Sequence, residues 1–326
     1  MAIQKAKTIW MNGRWTPWDD ARIHILAHVA HYASSVFEGI RCYGTRRGPA
    51  IFRLDAHMDR LMLSAKVYRM ELPFTRQQIC EACIEAVAIN DLKECYIRPL
   101  IYRGYENLGV NPFGNPIDVA VAAFPWGKYL GEDALTKGVA AKVSSWQRMA
   151  PNTMPAMAKA SSNYMNSQLM KMEALVDGYA EAIALDIHGF VSEGSGQNLF
   201  AVVGGQVVTP TLASSILAGI TRDSVMTLAR ELGYVVREEI IPREILYAAD
   251  ELFYSGTAVE VTPITSVDRI AVGAGTRGPV TQAIQEAFFA VVRGETPDRH
   301  GWLTPVAPAA AGRAAPAAAA AAARQS

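Results

Sequence analysis

Two α+β domains are what this chain predicts, and three observations carry that expectation. Its 326 residues suit about two domains of ordinary size. Helical and extended periodicities occur in both halves. Between the halves, Pro125-Trp126-Gly127-Lys128-Tyr129-Leu130-Gly131 interrupts every pattern with Pro and Gly. The expected limits are residues 1–125 for a smaller N-terminal domain, 126–133 for the connection and 134–304 for a larger second domain. Residues 305–326 read as an alanine-rich tail without apolar periodicity to dock it, mobile and of no catalytic use.

In the first domain, Ile9-Trp10-Met11-Asn12-Gly13-Arg14-Trp15 reads as a hairpin, because Asn-Gly supplies positive φ between short strands. An aromatic-rich stretch, 31–37, runs into a strand at 38–43. Residues 53–68 place Leu54, Met58, Leu61 and Met62 on one helical face, and 77–89 form a second helix. Strands follow at 95–102 and 118–124. The second domain holds a helix at 162–178 and strands near 181–187, 190–193 and 198–203, the last leading into a Gly204-Gly205 turn. A helix at 221–232, strands near 233–239 and 251–255, and a helix at 278–293 complete it.

Lys plus Arg equals Asp plus Glu at 31 each, so there is no electrostatic case for nucleic acid or an acidic membrane as partner. A charge near zero does little to keep copies apart, which fits an oligomer. The first ten residues are polar and short, and no apolar run is long enough to span a bilayer. The expected location is the cytoplasm, where Cys42, Cys80, Cys83 and Cys95 stay reduced. Cys80-Glu81-Ala82-Cys83 has CxxC spacing, but with no second pair and no nearby histidine cluster it reads as structural.

Lys159 stands among small and apolar residues, Met154-Pro155-Ala156-Met157-Ala158-Lys159-Ala160, five residues before Tyr164. Such surroundings suit an amine kept partly neutral and able to form a Schiff base with an aldehyde cofactor. The plain alternative is a solvated lysine at a helix start with Tyr164 packed in the core. Glu193, beside Gly194-Ser195-Gly196, faces either solvent or a ring nitrogen whose protonation it favours. Leu217-Ala218-Gly219-Ile220-Thr221 opens a helix, where Gly219 lets backbone come close and first-turn amides attract an anion. Ordinary capping by Thr221 explains the same residues. Gly256-Thr257-Ala258 is either an anion nest or a plain turn. Arg60 by itself reads as a helix-surface arginine paired with a carboxylate. Together these residues supply an amine, a phenol, a carboxylate for a ring nitrogen and several anion-binding elements. That set matches pyridoxal 5′-phosphate, with its aldehyde, phenolic oxygen, ring nitrogen and phosphate.

Longer motifs stand in order along the chain. Glu193-Gly194-Ser195, Asn198-Leu199-Phe200, Thr209 and Leu217-Ala218-Gly219-Ile220-Thr221-Arg222 form the strongest run. With them go His31-Tyr32, Phe37-Glu38-Gly39-Ile40-Arg41, Tyr96-Ile97-Arg98-Pro99-Leu100, Gly109-Val110-Asn111-Pro112, Phe124-Pro125-Trp126-Gly127, and Ser255-Gly256-Thr257-Ala258 with Glu260. On these motifs, from about Ile9 to Trp302, the chain resembles the branched-chain amino acid aminotransferases, fold-type IV pyridoxal phosphate enzymes.

The resemblance implies the α+β two-domain, D-amino acid aminotransferase-like fold of that group. Its N-terminal domain is a smaller α/β unit, and its larger C-terminal domain has a β-barrel-like core. Lys159 is then the cofactor's covalent anchor and afterwards the general base and acid. Tyr164 meets the phenolic oxygen and Glu193 the pyridine nitrogen. Arg60, Ile220, Thr221 and Thr257 hold the phosphate, Gly219 and Gly256 admit close backbone, and Leu217 packs on the ring. Phe37, Trp126, Tyr164, Tyr32 and Val110 form an apolar substrate wall. Tyr32, Arg98 and Tyr129 hold a γ-carboxylate, while Tyr96 and the amides of Thr257 and Ala258 take the α-carboxylate.

The implied reaction is reversible transamination of L-leucine, L-isoleucine and L-valine with 2-oxoglutarate, with no metal. Tyr32 and Val110 cross a subunit interface in the family, so a homodimer is the minimum and a hexameric trimer of dimers the larger alternative. D-amino acid aminotransferase, (R)-amine transaminase and aminodeoxychorismate lyase activities would share Lys159 and Glu193. A non-catalytic cofactor-binding protein is a further alternative. Ser161-Ser162 and Ala218 depart from the glycines and proline of many relatives, with small effects expected.

Overall fold

The computed structural model describes residues 3–127, 130–131 and 133–308. These divide into two compact units: residues 3–126 with 301–308, and residues 127–300.

The first unit is built on β1 (Thr8–Met11), β2 (Arg14–Pro17), β3 (Ser35–Phe37), β4 (Ile40–Thr45), β5 (Gly48–Phe52), β6 (Cys95–Arg103) and β7 (Ile117–Phe124). Its helices are α1 (His28–Tyr32), α2 (Leu54–Val67) and α3 (Arg76–Ile89). Neighbouring strands run β5-β4-β6-β7-β1-β2, all antiparallel, with β3 also on β6. The β1–β2 turn takes φ of 47° at Asn12 and 84° at Gly13, the left-handed values that suit the strand twist of a tight hairpin. Helix α3 starts at a capping box, in which Thr75 Oγ1 accepts from Gln78 N and Gln78 Oε1 accepts from Thr75 N. Ile79, Cys83, Ala86 and Val87 then recur at helical spacing on its buried face. All four cysteines are free and buried. Burial pushes the Cys80 thiol up to about 11, so the CxxC pair behaves as packing rather than as a reactive centre.

The second unit begins with α4 (Ala134–Lys137), β8 (Val139–Val143), α5 (Asn163–Val176), β9 (Glu181–Leu185) and β10 (Val191–Gly194). It continues through β11 (Asn198–Val203), β12 (Gln206–Pro210), α6 (Ile220–Glu231), β13 (Val236–Glu239) and α7 (Ile245–Ala248). It ends with β14 (Glu251–Gly256), β15 (Glu260–Val267), β16 (Ile270–Ala271) and α8 (Pro279–Val292). The strands are ordered β10-β9-β8-β15-β14-β11-β12-β13, with β16 on β15. The β8–β9, β8–β15 and β12–β13 pairs are parallel and the rest antiparallel, so the sheet is mixed. Val139, Ala141, Ile183, Leu199, Leu252 and Ile264 belong to its core. Helix α8 is oriented by Glu251, whose carboxylate accepts from Val280 N at 2.9 Å and Thr281 N at 2.7 Å. An acid at a helix N-terminus both fills open donors and meets the dipole favourably.

Some elements differ from expectation. Gly194 continues β10 rather than bending, and β5, β8 and β15 are additional strands. β15 carries Pro263 between two partner strands, a position that argues against a strand in a sequence. The limits at 304 and 305 also move. Strand β17 (Leu303–Pro305) pairs antiparallel with β5, and Trp302 packs edge-on to Phe52 with ring centroids 5.8 Å apart. Residues 301–308 therefore belong to the first unit, and the rest of the alanine-rich stretch, 309–326, lies outside the described residues. Among the described residues no helix is long and apolar enough to cross a membrane, and no cluster of His, Cys, Asp and Glu could hold a metal ion.

Candidate active site

Lys159 lies just before α5, half-buried between Ala158 and Ala160, which are both buried. Asn163, at the helix start, donates to Pro155 O and Ala158 O, each at 3.1 Å, and so fixes the segment that presents the lysine. One residue further, Tyr164 sends its hydroxyl to within 2.5 Å of Lys159 Nζ. The amine and phenol, which spacing alone left open and the resemblance put at one cofactor, are thus one hydrogen-bonded pair.

Glu193 is buried on β10, and each carboxylate oxygen is occupied. Oε1 lies 2.8 Å from Arg148 Nη2. Oε2 accepts from Asn198 Nδ2 at 2.9 Å and Leu217 N at 3.1 Å. The expectation that left Glu193 open to solvent is not met. Arg148 is itself buried and also donates from Nη1 to Asn166 Oδ1 at 3.3 Å, linking this carboxylate to α5, the helix of Tyr164. Asn198 donates in addition to Leu217 O at 2.9 Å. Neither Arg148 nor Asn198 was assigned a role from the sequence. No local spacing marks Arg148, although a buried carboxylate requires a cation or several donors somewhere in the fold.

Gly219 precedes α6, where any side chain would crowd a neighbour. A Cβ at this position would lie 1.8 Å from Asn198 Oδ1, so the glycine makes room for the amide that holds Glu193. No side chain caps α6, which leaves the first-turn amides of Ile220 and Thr221 available to an anion. The start of α6 is pinned by Arg222, which donates to Pro210 O at 2.8 Å and Glu238 at 2.7 Å. Thr257 and Ala258 form the turn between β14 and β15, closed by the Gly256–Glu260 pair. Asn198 pairs with Ser255 in register, so this turn follows directly from the Glu193–Asn198 network.

In the first unit, Phe37, Tyr96, Arg98 and Trp126 come together. The Arg98 guanidinium lies 4.8 Å from the Phe37 ring centroid and 5.3 Å from that of Tyr96. The Tyr96 and Trp126 rings are 4.4 Å apart. A Cβ at Gly39 would meet Tyr96 Oη at 1.9 Å, which explains the glycine after Glu38. Tyr32, on α1, and Val110, on the loop after β6, stand apart from these and are both exposed. Arg60 belongs to a second group. It grips Glu38 with Nε to Oε1 at 2.7 Å and Nη2 to Oε2 at 2.8 Å, and His57 Nδ1 donates to the same Oε2 at 2.7 Å. This is a buried network, not a helix-surface pair. Burial alone would raise the Glu38 pKa, but Arg60 and His57 outweigh it and hold the carboxyl well below the usual range. Tyr129 lies outside the described residues.

The donor set of the second unit fits pyridoxal 5′-phosphate. It contains an amine beside a phenol, a buried carboxylate with its own counter-charge, and an uncapped helix N-terminus behind a glycine where a side chain would displace Asn198.

Comparison with known proteins agrees. The sequence profile of the amino-transferase class IV family matches residues 35–267. A branched-chain-amino-acid aminotransferase of Salmonella typhimurium is 52% identical over 307 residues, covering 94% of this chain and 99% of the relative. The crystal structure of the Escherichia coli branched-chain amino acid aminotransferase superposes with a TM-score of 0.92 at 53% identity, over 93% of this chain and 100% of the other. A branched-chain amino acid aminotransferase from T.th., solved in complex with N-(5′-phosphopyridoxyl)-L-glutamate, gives 0.89 at 48% identity, over 93% and 99%. With its paired lysine and tyrosine, its mixed sheet and these relatives, the chain belongs to the class IV aminotransferases and, within them, to the branched-chain-amino-acid aminotransferases.

Proposed function

We propose that this protein transfers the amino group of L-leucine, L-isoleucine or L-valine reversibly to 2-oxoglutarate, with pyridoxal 5′-phosphate as cofactor. The observation that carries the reading is the Lys159–Tyr164 pair, an amine held 2.5 Å from a phenol on the helix that follows it. When bound, the cofactor supplies an electron sink for charge developing at the substrate's α-carbon.

The chain's own residues supply the rest. Lys159 Nζ takes the α-proton and later returns it, and Tyr164 Oη keeps that nitrogen in place between the two events. Glu193 is the partner for the ring nitrogen, and Arg148 and Asn198 fix the angle of its carboxylate. Ile220 N, Thr221, Thr257 and Arg60 are the phosphate ligands, Gly219 and Gly256 let the backbone approach, and Leu217 packs on the ring. Phe37, Tyr164 and Trp126 form the apolar wall, while Tyr96 and the Thr257 and Ala258 amides receive the α-carboxylate.

Arg98 supports glutamate and 2-oxoglutarate as the second substrate pair. Its guanidinium is stacked on two rings and its Nε is buried without an acceptor, as suits a cation that awaits a γ-carboxylate. The complex of the T.th. relative with a phosphopyridoxyl-glutamate is in keeping with this. We also propose a homodimer in which Tyr32 and Val110 serve the neighbouring copy. Ile25, Leu108 and Val110 are 75%, 58% and 85% exposed, apolar side chains of the kind that a second copy would cover. Four free cysteines suit a cytoplasmic location.

The test is Lys159→Ala in the holoenzyme. It should lose the bound cofactor's absorbance and cut transamination of L-leucine by about 10²–10⁴-fold, the span of a general base. A variant that kept both, or a wild-type protein that reacted with D-alanine in place of L-leucine, would end the proposal.

A further inference from the structure

The loop from Gly104 to Pro116 leaves β6 and returns in β7, closed at its neck where Gly104 N donates to Pro116 O at 2.8 Å. Three buried polar side chains grip its backbone. Arg103 donates to Pro112 O at 3.0 Å, and to Tyr68 O and Arg69 O at 3.0 and 3.2 Å, so one guanidinium ties the loop to the end of α2. Asn115 Oδ1 accepts from Asn107 N at 2.8 Å. His28, 2% exposed, reaches Gly109 O with Nε2 at 2.9 Å and Ser34 Oγ with Nδ1 at 2.7 Å.

A carbonyl only accepts, so the ring carries its proton on Nε2 where it faces Gly109. With both nitrogens engaged, the imidazole is fixed in angle. Its ring centroid lies 4.6 Å from that of Tyr32, the last residue of α1. Gly109 has φ +143° with open space where a side chain would stand. Backbone conformation, not crowding, therefore requires glycine here, and that conformation aims the carbonyl at His28.

Val110 has little packing of its own, being 85% exposed, and Leu108 is 58% exposed. Their placement rests on the polar anchors. We propose that His28 is a positioning residue for substrate side-chain recognition, coupling Tyr32 on α1 to the Gly109-Val110 loop so that the two are presented as one surface. The inference rests on the substrate roles proposed above for Tyr32 and Val110.

The test uses the full-length holoenzyme. His28→Leu removes both bonds, and His28→Gln keeps an N–H within reach of Gly109 O. His28→Leu should raise KM for L-leucine about tenfold with kcat within about twofold, the pattern of lost uniform binding, and His28→Gln should recover most of it. Amide hydrogen exchange at residues 107–111 should quicken about tenfold or more in His28→Leu and stay unchanged at 217–221. If His28→Leu fails to fold, Ser34→Ala removes only the Nδ1 partner and should move the same two readouts by less.

Wild-type exchange of the loop in His28→Leu or Ser34→Ala overturns the inference, as does faster exchange with an unaltered KM while Val110→Ala raises it. If Val110→Ala and Tyr32→Ala both leave KM unaltered while His28→Leu frees the loop, the coupling is supported and the substrate role beneath it falls.

Discussion

Two arginines in the two units meet opposite fates. Arg148 is buried against Glu193 at 2.8 Å, and the remaining oxygen of that carboxylate takes two further donors. Arg98 has no carboxylate partner among the described residues; aromatic faces hold it, and its Nε is buried without an acceptor. A charge answered inside the protein is a finished part, oriented before any ligand arrives. A buried donor left unanswered costs stability until an acceptor completes it. In the function proposed above, the first would fix a group that meets a ring nitrogen, and the second would keep a place for a substrate carboxylate.

The sharpest way to break the contrast is Arg148→Met. It strands Glu193 as a buried charge and should destabilise the protein by about 3–5 kcal/mol in urea unfolding, with loss of cofactor affinity. Arg98→Met should do the reverse. Stability should hold or rise, while KM for 2-oxoglutarate climbs about 10–100-fold, the equivalent of one charge-assisted hydrogen bond, with the L-leucine half-reaction far less affected. An Arg98→Met protein that lost stability as Arg148→Met does would erase the distinction.

Gly219→Ala sharpens it by striking Glu193 at one remove. Asn198 must move away from the new Cβ and give up its bonds to Glu193 and Leu217, which should weaken cofactor binding by about 1–2 kcal/mol in equilibrium titration.

The smallest effect is a pH dependence away from the site. Burial would raise the pKa of Glu173, but bonds from Lys142, Ser144 Oγ and Ser145 N bring it from the usual 4.5 down to about 2. The unfolded chain binds this proton more readily than the folded one. The stabilisation is therefore complete above about pH 4.5 and is lost as pH falls toward about 2. Glu173→Gln should flatten that part of the stability profile in denaturation midpoints taken across the range.

What was legible in the sequence was what is local. Asn12-Gly13 announces its turn because two left-handed residues have few other uses. Lys159 and Tyr164 are close in the chain, and a helix start brings them into contact. The start of α6 was legible for the same reason, but the need for Gly219 was not, because the side chain it makes room for belongs to Asn198, on β11. Arg148 was not, because its partner comes from a distant strand and no periodicity connects them. Arg60 was half-read: a carboxylate partner was expected, but at the surface, whereas Glu38 meets it in the interior. Pro263 hid a central strand, and β17 is too short to show a period.

That last strand sets an order of events during synthesis. Because β17 pairs with β5 and Trp302 packs on Phe52, the first sheet to emerge from the ribosome waits for nearly the whole chain before its outer edge is covered. Until then β5 offers bare donors and acceptors to any passing strand, a hazard for the nascent chain. A polypeptide terminated ahead of Leu303 would keep that edge open permanently, and the harm would fall on the domain translated first.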